Sequence, residues 1–151
     1  MSVTFRNITA NPTDPVKDWP TEAVQAALER GDIEEWRRLA TEINRRPWGR
    51  TTRQIEEVLS HSRPYGVAEL MESVIARARA HAEDEERRTI AVEVRQAITD
   101  SGLTRREFAA RIGTSTSRLS TYATGKVTPA ATLMLRIRRL LADTDRPSAP
   151  R

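Results

Sequence analysis

The sequence predicts an all-α protein in which two small helical domains are joined by a long helix. Three observations support this fold class. Apolar residues recur three and four positions apart in successive segments separated by Gly or Pro. A helical pattern continues almost without interruption from about residue 66 to residue 101. Beyond it, capping residues and glycines follow one another at short spacing between residues 103 and 126.

The chain is predicted to begin with an arm and a first helix. Residues 1–18 combine prolines with short polar side chains, a composition typical of an extended arm. A short strand is expected around Val3–Ile8. The first helix is expected from Thr21 to Arg30, where Gly31 ends it.

Two further helices are predicted before residue 64. Asp32 is placed to cap the second helix, which the Pro47-Trp48-Gly49 segment interrupts. The third is expected to begin at Thr51 or Thr52 and to end before Pro64. The apolar stripes expected to face a core are Ile33, Trp36, Leu39, Ala40 and Ile43 on the second helix, and Ile55, Val58 and Leu59 on the third.

The long helix carries two apolar stripes separated by a polar stretch. The stripes are Val67, Leu70, Met71, Val74, Ile75 and Ala78, followed by Ile90, Val94 and Ile98. Residues 83–88 are polar on every side, which predicts a helical connector that crosses solvent between domains. Its acidic run is expected to be a solvated face and not a cation site. The expected organisation is an arm at 1–18, a helical dimerisation or partner-binding domain at 19–82, a connector at 83–88, a second helical domain at 89–142 and a disordered tail at 143–151.

Local signals predict two short helices and a tight turn in the second domain. Thr104 and Glu107 are spaced as a capping box. Phe108, Ala109 and Ile112 form one apolar face, and Gly113 follows it directly as a C-cap. Ser115 can cap the next helix, on which Leu119 and Tyr122 face inward, and Gly125 ends it. Thr128 and Pro129 then predict another helix, with Pro129 at its first position.

These residues resemble the helix-turn-helix of the lambda-repressor/Cro-like (XRE-type) family. The likeness covers residues 89–142 and rests on a Leu-Thr-x-x-Glu-Phe-Ala opening, an Ile-Gly turn, a Ser-x-Ser-x-Leu-Ser recognition helix and a following Gly-Lys. It implies a DNA-binding module whose second helix enters the major groove. An ordinary helical hairpin would share the capping and apolar faces, but it would not explain the polar outer face of the second helix.

The chain departs from the family at three places. Arg105 stands where many members carry a phosphate-contacting Gln. Ile98 and Ala123 stand where some members have a buried Arg–Glu pair, and an apolar pair is a reasonable replacement. The polar, Pro-rich residues after Leu141 are too short and polar for the family's usual fifth helix, so we expect that helix to be missing.

Composition restricts the function. The 151-residue chain has no cysteine, six glycines and only two histidines, His61 and His81. We find no nucleophile–base set, glycine-rich phosphate loop or metal-ligand cluster, and therefore expect no enzymatic activity, cofactor or metal. No apolar run approaches membrane-spanning length, and the N-terminus lacks the basic-then-apolar order of a signal peptide, so a cytoplasmic protein without membrane attachment is expected.

Charge is distributed unevenly along the chain. Residues 1–88 carry 14 basic and 16 acidic side chains, a net charge of −2, and residues 89–151 carry 11 basic and 5 acidic side chains, a net charge of +6. A cationic domain beside a near-neutral one fits a DNA-reading module joined to another element.

The expected interface with double-stranded DNA is Arg105, Thr114, Thr116, Ser117, Arg118, Ser120, Thr121 and Lys126. The resemblance implies base contacts from Thr116, Ser117 and Thr121, whose short hydroxyls discriminate poorly between bases. Arg118 has the only long donor side chain on that helix and suits either a guanine or a phosphate. Arg105, Thr114 and Lys126 are better placed for phosphates.

The sequence leaves two main functions open. The first is a transcriptional regulator, in the form of a repressor that dimerises through its N-terminal domain and binds an operator. The second is an antitoxin that represses its own operon and binds a toxin through the same domain. A role in phage or plasmid maintenance is not separated from these.

Overall fold

In a computed structural model the protein is all-helical, as predicted. The structure describes residues 3–146, which contain a 3₁₀ turn and seven α-helices and no strand. The turn spans Val16–Asp18, and the helices are α1 (Thr21–Arg30), α2 (Ile33–Arg45), α3 (Arg50–Leu59), α4 (Val67–Ser101), α5 (Arg105–Ile112), α6 (Thr116–Thr124) and α7 (Ala131–Thr144). The chain divides into two compact units on either side of the Ala82–Glu83 bond. None of the described helices is both long enough and apolar enough to cross a membrane.

The first unit packs α1, α2, α3 and the N-terminal part of α4 around one apolar core. Trp19 is fully buried there, and its indole Nε1–H donates to the carbonyl oxygen of Asp14 at 3.1 Å. The Phe5 and Trp19 rings pack edge to face with their centroids 5.1 Å apart. The Arg38 guanidinium carbon lies 4.8 Å from the Trp19 ring centroid. The Arg38 guanidinium also donates to the carbonyl oxygens of Pro12 and Asp14, at 2.6 and 2.7 Å. These contacts hold the chain before α1 against the unit.

The predicted strand at Val3–Ile8 is wrong. These residues are irregular, and Asn7 has a φ of 58°. The segment finds its polar partners on a helix: the backbone N–H of buried Val3 donates to Glu35 at 3.3 Å. Phe5 and Ile8 pack against the core. No second strand lies within residues 3–146, and the Val3 N–H bonds instead to a helix side chain, that of Glu35.

Helix limits in the first unit follow local chemistry. The α1 range is the predicted one, and Asp32 caps α2 as expected, in a capping box with Glu35. Helix α3 begins at Arg50 with Gly49 as its N-cap, one residue before the predicted range of starts.

Two large members of the predicted apolar stripes are exposed. The side chains of Ile33 and Leu70 are 53% and 43% exposed. Ile33 is the first residue of α2 and lies at the end of its buried face. On α4 the buried face runs through Ala68, Met71 and Ile75, and Leu70 lies roughly 100° around the helix from Met71.

The second unit packs α5, α6, α7 and the C-terminal part of α4. Its core is formed by Val94, Ala97, Phe108, Ala109, Ile112, Leu119, Ala123, Leu133, Met134 and Ile137. Residues 83–88 are exposed within the unbroken helix α4. In residues 83–146 no helix follows α7.

The limits of α7 differ from the prediction. Pro129 is not its first residue, because the N–H groups of Leu133 and Met134 bond to the carbonyl oxygen of Ala130, which makes Ala130 the N-cap. The helix ends at Thr144, two residues beyond the predicted limit, so the first two residues of the predicted tail are helical. Residues 147–151 of that tail lie outside the described residues.

Candidate nucleic-acid interface

The turn between α5 and α6 is built by backbone hydrogen bonds around one glycine. Gly113 has φ 77° and ψ 37°, in the left-handed region that favours Gly. The Gly113 N–H donates to the carbonyl oxygen of Ala110, and the Thr114 N–H donates to that of Ala109 at 2.9 Å. This pair of bonds is a Schellman motif, which satisfies carbonyls at the end of α5 and reverses the chain within two residues.

Side-chain caps begin both helices. The Thr104 hydroxyl accepts the N–H of Glu107 at 3.2 Å, which is one half of the predicted capping box. The Ser115 hydroxyl accepts the N–H of Arg118 at 3.1 Å. Each cap satisfies a donor that the first helical turn leaves free. The predicted starts of α5 and α6 are therefore confirmed.

Helix α6 has one buried face and one exposed polar face. Leu119 and Ala123 are buried in the core, while Tyr122 is half-buried against it. Thr116, Ser117, Arg118 and Ser120 are exposed. Thr124 is exposed as well, so the exposed residues of α6 carry four short hydroxyls and one guanidinium.

Two threonine hydroxyls are already engaged within α6. Thr121, which is half-buried, donates its hydroxyl to the carbonyl oxygen of Arg118 at 2.6 Å. Thr124 donates to the carbonyl oxygen of Thr121 at 3.2 Å. A hydroxyl has one proton to donate, so Thr121 in this geometry offers an external partner an acceptor oxygen and a methyl group.

The three residues assigned to phosphates occupy different places in the same unit. Arg105 is the first residue of α5 and is exposed there, close in sequence to the free N–H groups that make helix N-termini favourable for anions. Thr114 is half-buried in the turn, and Lys126 is exposed after Gly125, whose φ is 79°.

Two arginines that sequence reasoning missed hold the ends of the motif helices. Arg95 on α4 donates from Nη1 to the carbonyl oxygen of Ala123, near the end of α6, at 2.5 Å. Arg136 on α7 donates from Nη1 to the carbonyl oxygen of Ile112, the last residue of α5, at 3.2 Å. Cations at helix C-termini are favourable because the last carbonyls lack intrahelical partners. No local sequence pattern predicts these contacts, because Arg95 and Ala123 are 28 positions apart and Arg136 and Ile112 are 24 positions apart.

A third basic residue of this unit is paired with an acid. Arg138 on α7 donates from Nε to Glu93 on α4 at 3.0 Å. This hydrogen bond raises the pKa of the Arg138 guanidinium. The Glu93 carboxylate therefore partly compensates the positive charge of Arg138.

The family comparison agrees with this geometry. Residues 94–144 match a protein-family model described as helix-turn-helix. The C-terminal part of the chain is a helix-turn-helix domain of the XRE type. The match covers α5, α6, α7 and the last residues of α4, and leaves the first unit unassigned. No curated protein and no solved structure matches the chain.

The match over residues 94–144 supports a DNA-binding transcriptional regulator of the XRE type. Its recognition helix is α6, by its place after the turn. Within residues 3–146 no group of three or more Asp, Glu or His side chains is arranged to hold a metal ion.

Proposed function

We propose that the protein is a transcriptional repressor that binds an operator in double-stranded DNA as a homodimer. The observation that carries this proposal is the division of α6 into two faces. Leu119 and Ala123 fix one face in the core, and Thr116, Ser117 and Ser120 leave the other polar and exposed. A recognition helix needs this division, because it must be held by its own domain and still enter the major groove.

The side chains on α6 support modest direct reading of bases. Ser117 and Ser120 can donate to or accept from several bases, and Thr121 can place its methyl group against that of a thymine. Arg118 is the one side chain on the helix with the bidentate fork that suits guanine O6 and N7. We therefore assign most sequence discrimination to Arg118 and to the shape of the operator.

Affinity would come mainly from phosphate contacts. The net charge of +6 on residues 89–151 supports this, and Arg105, Thr114 and Lys126 are the assigned contacts. Such contacts set the register and orientation of the domain on the duplex without reading its sequence. Binding should consequently weaken steeply as salt is raised.

The first unit is the proposed dimerisation element. Its described surface exposes four large apolar or aromatic side chains: Tyr65 completely, Ile33 by 53%, Trp48 by 46% and Leu70 by 43%. Tyr65 and Leu70 flank the start of α4, five positions apart. Exposed aromatic and aliphatic side chains of this size favour protein–protein contact. A second copy of the chain would supply the second recognition helix that a symmetric operator requires.

A genome-wide map of binding in the native host, combined with a reporter placed behind the bound sites, tests the proposal. Repression predicts discrete sites with two related half-sites about one DNA turn apart. Reporter expression should rise when the gene is deleted. An absence of discrete sites, or expression that falls on deletion, would contradict the repressor assignment.

A matched pair of variants tests the role of α6 in vitro. Ser120→Glu places a carboxylate on the proposed DNA-facing surface, and Ser73→Glu places one on an exposed position of α4 in the first unit. Because like charges oppose phosphate contact, Ser120→Glu should weaken binding about tenfold or more. Ser73→Glu should leave affinity near that of the unaltered protein. Equal effects from both substitutions would show that α6 does not face the DNA.

The second candidate is an antitoxin. The exposed Tyr65 and Leu70 side chains support it, because they could bind a toxin in place of a second copy of the chain. Light scattering of the purified full chain, together with purification from the native host, separates the two. A homodimer without another bound protein supports the repressor. A stoichiometric complex with the product of a neighbouring gene, lost in a Tyr65→Ser/Leu70→Ser variant, supports the antitoxin.

A further inference from the structure

An open groove with three arginines lies beside the end of the recognition helix. It has a volume of about 580 Å³ and lies wholly within the second unit. Arg87, Arg88 and Arg95 line one side from α4, and Thr124 and Gly125 line the other. None of these arginines belongs to the interface that the sequence predicts.

Gly125 brings the two sides of the groove together. A Cβ placed on Gly125 would lie 3.5 Å from the Cβ of Ala91 and 3.8 Å from the carbonyl oxygen of Arg87. The chain leaving α6 therefore passes directly against the turn of α4 that carries Arg87 and Arg88. Lys126, already assigned to phosphate contact, is the next residue along the chain.

Arg95 is held in place by the helix that it adjoins. One of its N–H groups donates to the carbonyl oxygen of Ala123 at 2.5 Å. A guanidinium carries five N–H donors, so others remain for an additional partner. Arg95 thus presents a positioned cation to the groove while it holds the end of α6.

The charge of the groove suits an extended polyanion. Its three guanidiniums face a single lining carboxylate, that of Asp84, and all three arginines are exposed. Arg88 also pairs with Glu85 on the same helix, an exposed ion pair that an external phosphate can replace at little cost. The arginines are spread over two turns of α4, a spacing better matched by successive phosphates of a nucleic-acid strand than by one small anion.

We propose that Arg87, Arg88 and Arg95 form a second phosphate-binding surface, which holds the DNA backbone outside the base pairs reached by α6. This inference rests on the proposed DNA-binding function and adds residues of α4 to its interface. Lys126 directly follows Gly125, which lines the groove, so one duplex can contact both Lys126 and the groove. The contribution of the groove is affinity and register, since phosphate contacts carry no sequence information.

The test is the salt dependence of DNA binding by the full chain, measured by fluorescence anisotropy on a random duplex of roughly 30 base pairs, about three helical turns. The slope of log K against log salt is negative, and each lost phosphate contact makes it less steep by about 0.9. The Arg87→Ala/Arg88→Ala variant should therefore have a slope less steep by about 1.8. Ala is a good helix former, so circular dichroism should remain unchanged. Arg95 is left intact because it also bonds Ala123.

The control is Arg30→Ala/Arg37→Ala, which removes the same charge from exposed positions of the first unit. It should leave the slope within error of that of the unaltered protein. An unchanged slope for the Arg87/Arg88 variant, or an equal fall in the control, overturns the groove proposal. Failure of the unaltered protein to bind any duplex contradicts the proposed function itself. If the Arg87/Arg88 variant loses binding of inorganic tripolyphosphate but keeps the full DNA slope, the groove binds a small anion and the proposal is wrong.

Discussion

The guanidinium of Arg136 donates to the carbonyl oxygen of Ile112 at 3.2 Å and thereby ties α7 to the end of α5. The same side chain lies beside the turn of the helix-turn-helix domain, since a Cβ built on Gly113 would be 3.3 Å from Arg136 Nη1. A residue 24 positions away thus supports the turn that orients the recognition helix.

Replacing Arg136 should destabilise the helix-turn-helix domain without unfolding it. Arg136→Ala removes a partly exposed hydrogen bond to a helix C-terminus, worth about 0.5–1.5 kcal/mol. Arg139→Ala on the same helix is the control, because Arg139 is also exposed and has no side-chain hydrogen bond or ion pair among the described residues. Urea unfolding of the two variants measures the difference. Equal midpoints would contradict a supporting role for Arg136.

Gly113 should be intolerant of a side chain. Gly113→Ala places a Cβ at φ 77°, at a cost of about 1–2 kcal/mol for the left-handed conformation. Gly102→Ala is the control for the backbone cost alone, because Gly102 has φ 68° and no atom within 4 Å of the added Cβ. At Gly113 the added Cβ would also lie 3.3 Å from Arg136 Nη1. We expect Gly113→Ala to lower the free energy of unfolding at least as much as Gly102→Ala. A smaller loss at Gly113 would mean that the turn is not restricted by its backbone.

The caps of the motif could be predicted from sequence because they depend on short-range chemistry. Thr104, Gly113 and Ser115 each bond to backbone within a few residues, so spacing alone reveals them. The start of α7 was missed because Thr128 and Pro129 fit a helix start by local criteria, whereas the N-cap is Ala130, which has no side chain able to cap.

Contacts between helices could not be predicted in the same way. Arg95 and Arg136 occupy exposed helical positions whose sequence pattern matches that of any solvated arginine, and only the packing of α4 and α7 brings them to carbonyl oxygens. The groove beside Gly125 was missed for this reason too. Leu70 shows the converse, since it continues an apolar pattern but lies at the side of the buried face of α4.

Ser115 should contribute more to stability than its neighbour on α6. Ser115→Ala removes the N-cap hydroxyl that accepts the Arg118 N–H, at a cost of typically about 1 kcal/mol. Ser117→Ala is the control, because Ser117 is exposed and makes no side-chain hydrogen bond among the described residues. Thermal unfolding followed by circular dichroism compares them. Ser117→Ala should leave the melting temperature nearly unchanged, and an equal loss in both variants would show that the cap does not stabilise α6.

The first unit offers a test of pH dependence at Glu29. Hydrogen bonds from Ser62 and then Gln25 lower the pKa of the Glu29 carboxyl below its ordinary value of 4.5. A lowered folded-state pKa means that this stabilisation is fully present above about pH 4.5 and is lost as the pH falls through the folded value. Ser62→Ala removes the largest cause, so the pKa of Glu29 should rise toward 4.5 and the acid-side loss should shrink.

Side-chain carboxyl titration by NMR measures the Glu29 pKa in both proteins. Ser60→Ala serves as the control, since the Ser60 hydroxyl donates to the carbonyl oxygen of Glu57 and not to Glu29. It should leave the Glu29 titration in place. A Glu29 pKa that does not move in Ser62→Ala would mean that the hydrogen bond at 2.6 Å does not persist in solution.

Arg118 should determine whether the recognition helix prefers one base. Arg118→Ala removes the only guanidinium on α6, so discrimination at one guanine should fall by about 1–3 kcal/mol. Affinities for an operator and for its single-base variants, measured at one salt concentration, give the change at each position. Arg118→Lys keeps the charge but loses the planar fork, and it should restore affinity more fully than base preference. A uniform loss across all sequences in Arg118→Ala, restored completely by Lys, would instead place Arg118 on a phosphate.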